Sequence, residues 1–261
     1  MLMIELINLS KRYKSLRAVD GINLEIKQGA RFGFLGPNGA GKTTTIKMMA
    51  GVLMPTDGRI IINGHDLAKD PVAAKQCVGF IPDRPFLYEK LTGLEFLHFI
   101  AGLYGLNNNG KLNHRINDLL DLFGLGRWGE ELIEGYSHGM KQRLVMCGAL
   151  VHRPKVLIVD EPMVGLDPRG ARLVKNIFKE QVENGVTLFM STHSLDVAQE
   201  ICDEIAIIQG GRLIAQGTGE SLRRKAGVDG NLEEAFLRLT EEKEDLHGSP
   251  DSSVAPRLSG V

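Results

Sequence analysis

Apolar residues recur along this chain at two spacings, and the spacing switches repeatedly. Ile22, Leu24 and Ile26 alternate with Asn23, Glu25 and Lys27, the period of a half-buried strand. Gly29 turns the chain, and the short, mostly apolar run from Arg31 to Leu35 predicts a buried strand. A glycine-rich loop follows from Gly36 to Gly41. Ile46, Met49, Ala50 and Leu53 then recur at helical spacing, until Pro55, Asp57 and Gly58 stop the helix. Arg59 to Ile62 and Val78 to Ile81 predict further strands, the first closed by Asn63-Gly64.

The middle third, roughly 85–153, changes character and reads as a helical insertion. Thr92 and Glu95 form a capping box ahead of Phe96, Phe99, Ile100 and Leu103. A second helix is predicted from Leu112 to Phe123 and a third from Met140 to about His152. Strand signals return at Val156 to Val159, Val186 to Met190 and Ile205 to Ile208, with a hairpin turn at Gly210-Gly211. Between them, Asp167-Pro168 opens a helix that Asn184-Gly185 ends. Strands alternating with helices predict an α/β fold with a parallel sheet. Past the core, Leu232, Ala235, Phe236 and Leu239 make a short amphipathic helix. From about His247 the polar, Gly/Ser/Pro-containing chain reads as a disordered tail.

Composition narrows the function. The 261 residues are 43% hydrophobic and 24% charged, ordinary for a globular protein, with a net charge of −1. That balance argues against a nucleic-acid binder, which usually shows a basic excess. No run of about 18 uncharged apolar residues occurs, so any membrane role is expected to be peripheral. Met1 to Lys11 lacks the apolar core of a signal peptide. Cys77, Cys147 and Cys202 are far apart and odd in number, so they predict buried thiols in a reducing compartment rather than disulfides or a metal site.

The sharpest motif is Gly36-Pro37-Asn38-Gly39-Ala40-Gly41-Lys42-Thr43, followed by Thr44. It has the spacing of a phosphate-binding loop. Glycines let backbone N–H groups reach phosphate oxygens, and the helix that follows adds its positive dipole end. Lys42 supplies a full charge to the β and γ phosphates, and the Thr43 hydroxyl suits Mg²⁺. A strand ending in Asp160-Glu161 completes the chemistry. Asp160 is suited to hold the metal through water, and Glu161 to orient or deprotonate the attacking water.

In the order of its motifs, Met3 to Gly217 resembles the nucleotide-binding subunit of ABC transporters, in particular those of ABC-2 type multicomponent exporters. Tyr136-Ser137-His138-Gly139-Met140-Lys141-Gln142-Arg143 matches the family signature, whose usual core is L-S-G-G-Q. Ser137 and Gly139 stand at the positions that reach the γ-phosphate, while His138 and Met140 depart from the usual residues. Gly165-Leu166-Asp167-Pro168 matches the family's D-loop, with Asp167 also an ordinary helix cap. His193, in Ser191-Thr192-His193, matches the switch histidine. Asp83 stands where the family usually has a glutamine near the metal. Tyr13, after the first strand, matches the aromatic residue that stacks on adenine.

The resemblance implies a P-loop NTPase core with a parallel sheet, an N-terminal antiparallel β subdomain and a helical insertion. It implies an ATP-binding domain over 1–220, a helical extension over 221–246 and a tail over 247–261. ATP and Mg²⁺ are the implied cofactors. The implied partners are integral membrane permease subunits, and a second copy or a related ATPase in a head-to-tail dimer. No nucleic acid is implied. The implied location is the cytoplasmic face of the cell membrane. A family member driving a protein machine other than a transporter would share every one of these motifs. A P-loop metabolite kinase would not need the signature, D-loop and switch histidine.

Overall fold

The computed structural model describes residues 1–244. The chain opens with β1 (Leu2–Tyr13), β2 (Leu16–Lys27) and β3 (Arg31–Leu35). Then come α1 (Lys42–Met49), β4 (Asp57–Ile62), β5 (His65–Asp66), α2 (Pro71–Gln76) and β6 (Val78–Ile81). A helical stretch holds α3 (Gly93–Leu103), α4 (Gly110–Leu122) and α5 (His138–Leu150). The remainder runs β7 (Val156–Asp160), α6 (Pro168–Glu183), β8 (Thr187–Thr192), α7 (Leu195–Ile201), β9 (Glu204–Gln209) and β10 (Arg212–Gly217). It ends with α8 (Gly219–Ala226) and α9 (Leu232–Glu244).

Two sheets form. One is antiparallel, in the order β2-β1-β4-β5. The other has the order β10-β9-β3-β8-β7-β6. Its strands β6, β7, β8, β3 and β9 are parallel, while β10 folds back antiparallel on β9 across Gly210-Gly211. The sheet expected to be parallel therefore carries an antiparallel edge strand.

The parallel strands are apolar on both faces because both are covered. Val156, Ile158 and Phe189 pack with Phe32 and Phe34 toward the antiparallel sheet and α1. Leu157, Val159, Leu188 and Met190 pack toward the helices, against Leu144 and Phe178. A third cluster seats Leu232, Ala235 and Leu239 of α9 against Leu222 and Ile207. Among the described residues no helix is long and apolar enough to cross a membrane.

Several boundaries differ from expectation for local reasons. The helix expected at Met140 starts at His138, because Ser137 is its cap and accepts from the Met140 N–H at 3.3 Å. Strand β8 continues past Met190 to Thr192, since Ser191 and Thr192 are buried and pair with Asp160 and Leu35. Tyr13 is the last residue of β1 rather than a residue after it. The short helices α2, α7 and α8 span too few turns for a helical period to stand out in the sequence. The tail expected from His247 lies outside the described residues.

One half-buried pair links α3, α5 and β6. The rings of Tyr104 and His152 stack with centroids 3.6 Å apart and planes 6° from parallel. Tyr104 Oη and His152 Nε2 both donate to the Val78 carbonyl, at 3.2 and 3.1 Å. His152 Nδ1 is buried with no hydrogen-bond partner among the described residues. Burial pushes the His152 pKa down to about 4, against the help of the Val78 carbonyl and with the nearby Arg115 charge adding to the fall. The unfolded chain takes that proton near pH 6.5. Between those values the unfolded state binds a proton that the folded state refuses, so this histidine lowers stability as pH falls. The thermal midpoint of the wild type should therefore drop more between pH 7 and 5 than that of His152→Gln. Equal drops would remove His152 from the acid response.

Candidate nucleotide site

The site lies at the carboxyl ends of the parallel strands, where open α/β sheets leave a crevice. Gly36 to Gly41 joins β3 to α1. At two glycines the fit allows no side chain. A Cβ on Gly36 would overlap the Ile208 carbonyl oxygen. Gly41 has a φ of +109°, and a Cβ there would fall 2.5 Å from the Ala18 carbonyl oxygen. The loop is pinned by Ala40 N–H to Pro37 O at 3.2 Å and by Gly211 N–H to Ala40 O at 3.0 Å. No side chain caps α1, so the positive end of its dipole is available to an anion.

Lys42, the first residue of α1, is 6% exposed. Its ammonium arches over the loop and donates to the carbonyls of Gly36 and Pro37, at 2.7 and 3.2 Å. Glu161 Oε1 lies 3.8 Å from it. Burial lowers the Lys42 pKa, and the charges of Glu161 and Asp160 oppose that shift. Together these contacts hold a cation where a polyphosphate would need one.

Two carboxylates end β7 in different surroundings. Asp160 is 1% exposed and takes hydrogen bonds from the hydroxyls of Ser191 and Thr43. Burial raises its pKa, the two hydroxyls lower it, and the charges of Asp83 and Glu161 raise it again. Glu161 is the next residue and turns the chain, with φ at +49°, a costly region for a side-chain-bearing residue. Its N–H donates to the Ser191 carbonyl at 3.2 Å. Its Oε2 lies 3.0 Å from Nδ1 of His193, which follows β8 and is exposed. Glu161 thus stands between Lys42 and His193.

These groups open on a cleft of about 920 Å³. Of the residues singled out by sequence, Tyr13, Pro37, Asn38, Gly39, Gly41, Lys42, Thr43, Thr44, Asp83, Glu161 and His193 line it. Gly36 and Ala40 are buried parts of the loop, and Asp160 lies behind Thr43. Ser137 and Gly139 do not line the cleft; they belong to the cap and first turn of α5. Asp167 is exposed and caps α6, its Oδ1 accepting from Gly170 N–H at 2.8 Å. Residues that sequence reasoning missed also line the cleft: Leu16, Ala18, Arg84, Lys141 and Val164. His138, noted only as a departure from the signature, is there too. Only the positions of Arg84 beside Asp83 and Lys141 within the signature gave a signal. Leu16 and Ala18 arrive by the pairing of β2 with β1, which no local pattern reports.

No three side chains of His, Cys, Asp or Glu among the described residues form a metal cage. That suits Mg²⁺, which is commonly held by one or two carboxylates together with phosphate oxygens and water. Thr43 and Asp160, with the Asp83 charge nearby, offer the hard oxygens for such a partial site.

Comparison with known proteins decides the family. The model of the ABC transporter family matches residues 19–164, a span holding the phosphate loop, the signature and the acidic strand end. The chain belongs to the ABC transporter family. It is an ATP-binding subunit, and its reaction is ATP hydrolysis. The linearmycin resistance ATP-binding protein LnrL of Bacillus subtilis (strain 168) is 37% identical over 90% of this chain and 78% of its own length. The daunorubicin/doxorubicin resistance ATP-binding protein DrrA of Streptomyces peucetius is 39% identical over 98% of this chain and 74% of its own. The probable multidrug ABC transporter ATP-binding protein YbhF of Escherichia coli (strain K12) is 37% identical, but the chain spans only 43% of its length. A solved ATP-binding subunit of an ABC transporter superposes with a TM-score of 0.86 at 35% identity, covering 91% of this chain and 99% of that one. A dimeric post-hydrolysis state of the ATP-binding cassette MJ0796, bound to ADP and phosphate, superposes at 0.76 with 25% identity over 83% and 98% of the two chains.

Replacing Lys42 by Ala removes the buried cation and leaves the loop's backbone in place. ATP affinity, measured by equilibrium dialysis, should fall roughly 10- to 100-fold, the weight of a hydrogen bond to a charged group. Unchanged affinity would contradict the assignment of this loop to phosphate.

Proposed function

We propose that this subunit powers transmembrane transport, in the export direction, by hydrolysing ATP on behalf of separate membrane-embedded permease subunits. The observation that carries the hydrolytic half is Glu161, held in a left-handed turn between Lys42 and His193 at the mouth of the cleft. The similarity to LnrL and DrrA over nine-tenths or more of this chain supports the transport half.

In this reading, Tyr13 stacks on the adenine. Backbone N–H groups from Gly39 to Thr44 and the Lys42 ammonium hold the phosphates, as in other phosphate loops. Mg²⁺, held through Thr43 and Asp160 with Asp83 beside them, would neutralise charge on the β and γ phosphates. Glu161 takes a proton from the attacking water, and His193 both contacts the γ-phosphate and steadies Glu161. A second copy of this chain, or a related ATPase, brings its Ser137 and Gly139 to the γ-phosphate from the far side, with Asp167 lining the contact between the two chains. The γ-phosphate then favours the closed pair over the open one, and its loss lets the halves part.

The step to the membrane runs through the segment after Asp83. Cleft-lining Pro85 is followed at once by Phe86, which is 82% exposed. Phe86, Tyr88 and Phe99 form an exposed edge-to-face aromatic cluster, with centroids 6.2 and 5.4 Å apart. Exposed aromatics next to a nucleotide-sensing segment suit a contact with permease subunits, with the chain peripheral on the cytoplasmic face of the membrane. Affinity capture of the full chain from detergent-solubilised membranes of its source should recover a multi-span membrane protein in stable complex. Recovery of soluble partners alone would remove transport from the reading and leave an ATPase serving another protein machine.

A further inference from the structure

The signature and the Glu161 turn touch within one chain. Gly165 has a φ of +79°, and a Cβ built on it would fall 2.5 Å from both Cε1 and Nδ1 of His138. The His138 ring therefore lies on a bare backbone position that only glycine provides. Beside it, a Cβ on Gly139 would sit 3.7 Å from the Gly165 carbonyl oxygen and 3.8 Å from Leu166 Cδ2. The first turn of α5 rests on the Gly165 turn.

Gly165 is tied back to Glu161 by consecutive tight turns. Val164 N–H donates to the Glu161 carbonyl at 3.2 Å, and Leu166 N–H to the Met163 carbonyl at 3.3 Å. The first half of α5 is anchored in the helical part. Arg143 donates to the carbonyls of Gly139 and Phe123, at 3.3 and 2.7 Å, and Lys141 pairs with Glu89 at 2.5 Å. His138 is thus the side chain between a firmly held helix start and a short, turn-closed segment ending in Glu161. The signature's usual glycine at this position would have no side chain with which to make the contact.

We infer that His138 is a positioning residue: seated on Gly165, it fixes the Glu161 turn relative to the signature helix of the same chain, and so sets the aim of the carboxylate. This rests on Glu161 being the general base. The effect is on orientation, where small displacements of a reacting group are expensive. It is separate from nucleotide affinity, which the loop and Lys42 supply.

The test is steady-state ATP hydrolysis by the full chain as wild type, His138→Gly, Gly165→Ala, the double variant and His138→Gln, each with its thermal midpoint. An alanine at Gly165 is strained by its φ in either background, so that cost cancels in the cycle. In His138→Gly, kcat should fall roughly tenfold with KM for ATP unchanged, the scale of a mispositioned catalytic group. Gly165→Ala should cost several-fold less in the His138→Gly background than in the wild type. His138→Gln, which keeps a planar side chain over Gly165, should recover most of kcat. Additive effects, or a raised KM at unchanged kcat, would overturn the inference. If Gly165→Ala fails to fold, the His138 variants decide alone, and wild-type kcat in His138→Gly overturns it. Normal turnover by Glu161→Gln would overturn the base assignment and this inference together. Loss of turnover there, with additive effects at 138 and 165, would overturn this inference only.

Discussion

A lysine ammonium buried to 6% exposure is costly unless its surroundings repay the lost hydration. Around Lys42 they offset part of that cost from two directions, through the carbonyls of Gly36 and Pro37 and through the carboxylates at the end of β7. That arrangement depends on the parallel register. Strands β3, β8 and β7 lie side by side, with Leu35 opposite Thr192 and Ser191 opposite Asp160. The residues that follow each strand are therefore delivered to one edge of the sheet. The loop, Glu161 and His193 meet there because three strands end together, not because they are near in sequence.

The same geometry explains why the two carboxylates differ. Asp160 is the last residue of its strand, buried and bonded by Ser191 and Thr43, which suits a fixed ligand. Glu161 is past the strand, turned by its positive φ toward the cleft, Lys42 and His193, which suits a group that must meet water. Ser191 is the hidden member. It donates to Asp160 through its hydroxyl and accepts the Glu161 N–H through its carbonyl, so one residue of β8 holds both acids.

Much of this was legible in the sequence because its signals are local. The phosphate loop is a contiguous motif, the apolar run into Asp160-Glu161 marks a strand end, and Asp167-Pro168 and Thr92 with Glu95 announce helix starts. What escaped was tertiary. Leu16 and Ala18 enter the cleft through strand pairing, Ser191 acts through the register of β8, and the His138 contact with Gly165 joins residues far apart in the chain. Ser137 and Gly139 mark a helix opening in the sequence as well, but only the bond from Met140 N–H to the Ser137 hydroxyl places the first residue of α5 at His138.

Of the three departures from the family pattern, Asp83 and His138 line this cleft and Met140 does not. The helix start that carries His138 is also paired, through Lys141, to Glu89 in the segment leading away from Asp83. The nucleotide site, the signature helix and the exposed aromatic cluster are thus linked by a short chain of contacts. A closing of one on the other has a physical route.

The proposed joining of two chains by the γ-phosphate can be checked by sedimentation velocity on the Glu161→Gln variant with Mg²⁺ and either ATP or ADP. A dimer is expected with ATP and a monomer with ADP, because only ATP offers the group that the second chain's Ser137 and Gly139 would hold. A monomer under both conditions, with ATP shown to be bound, would contradict it.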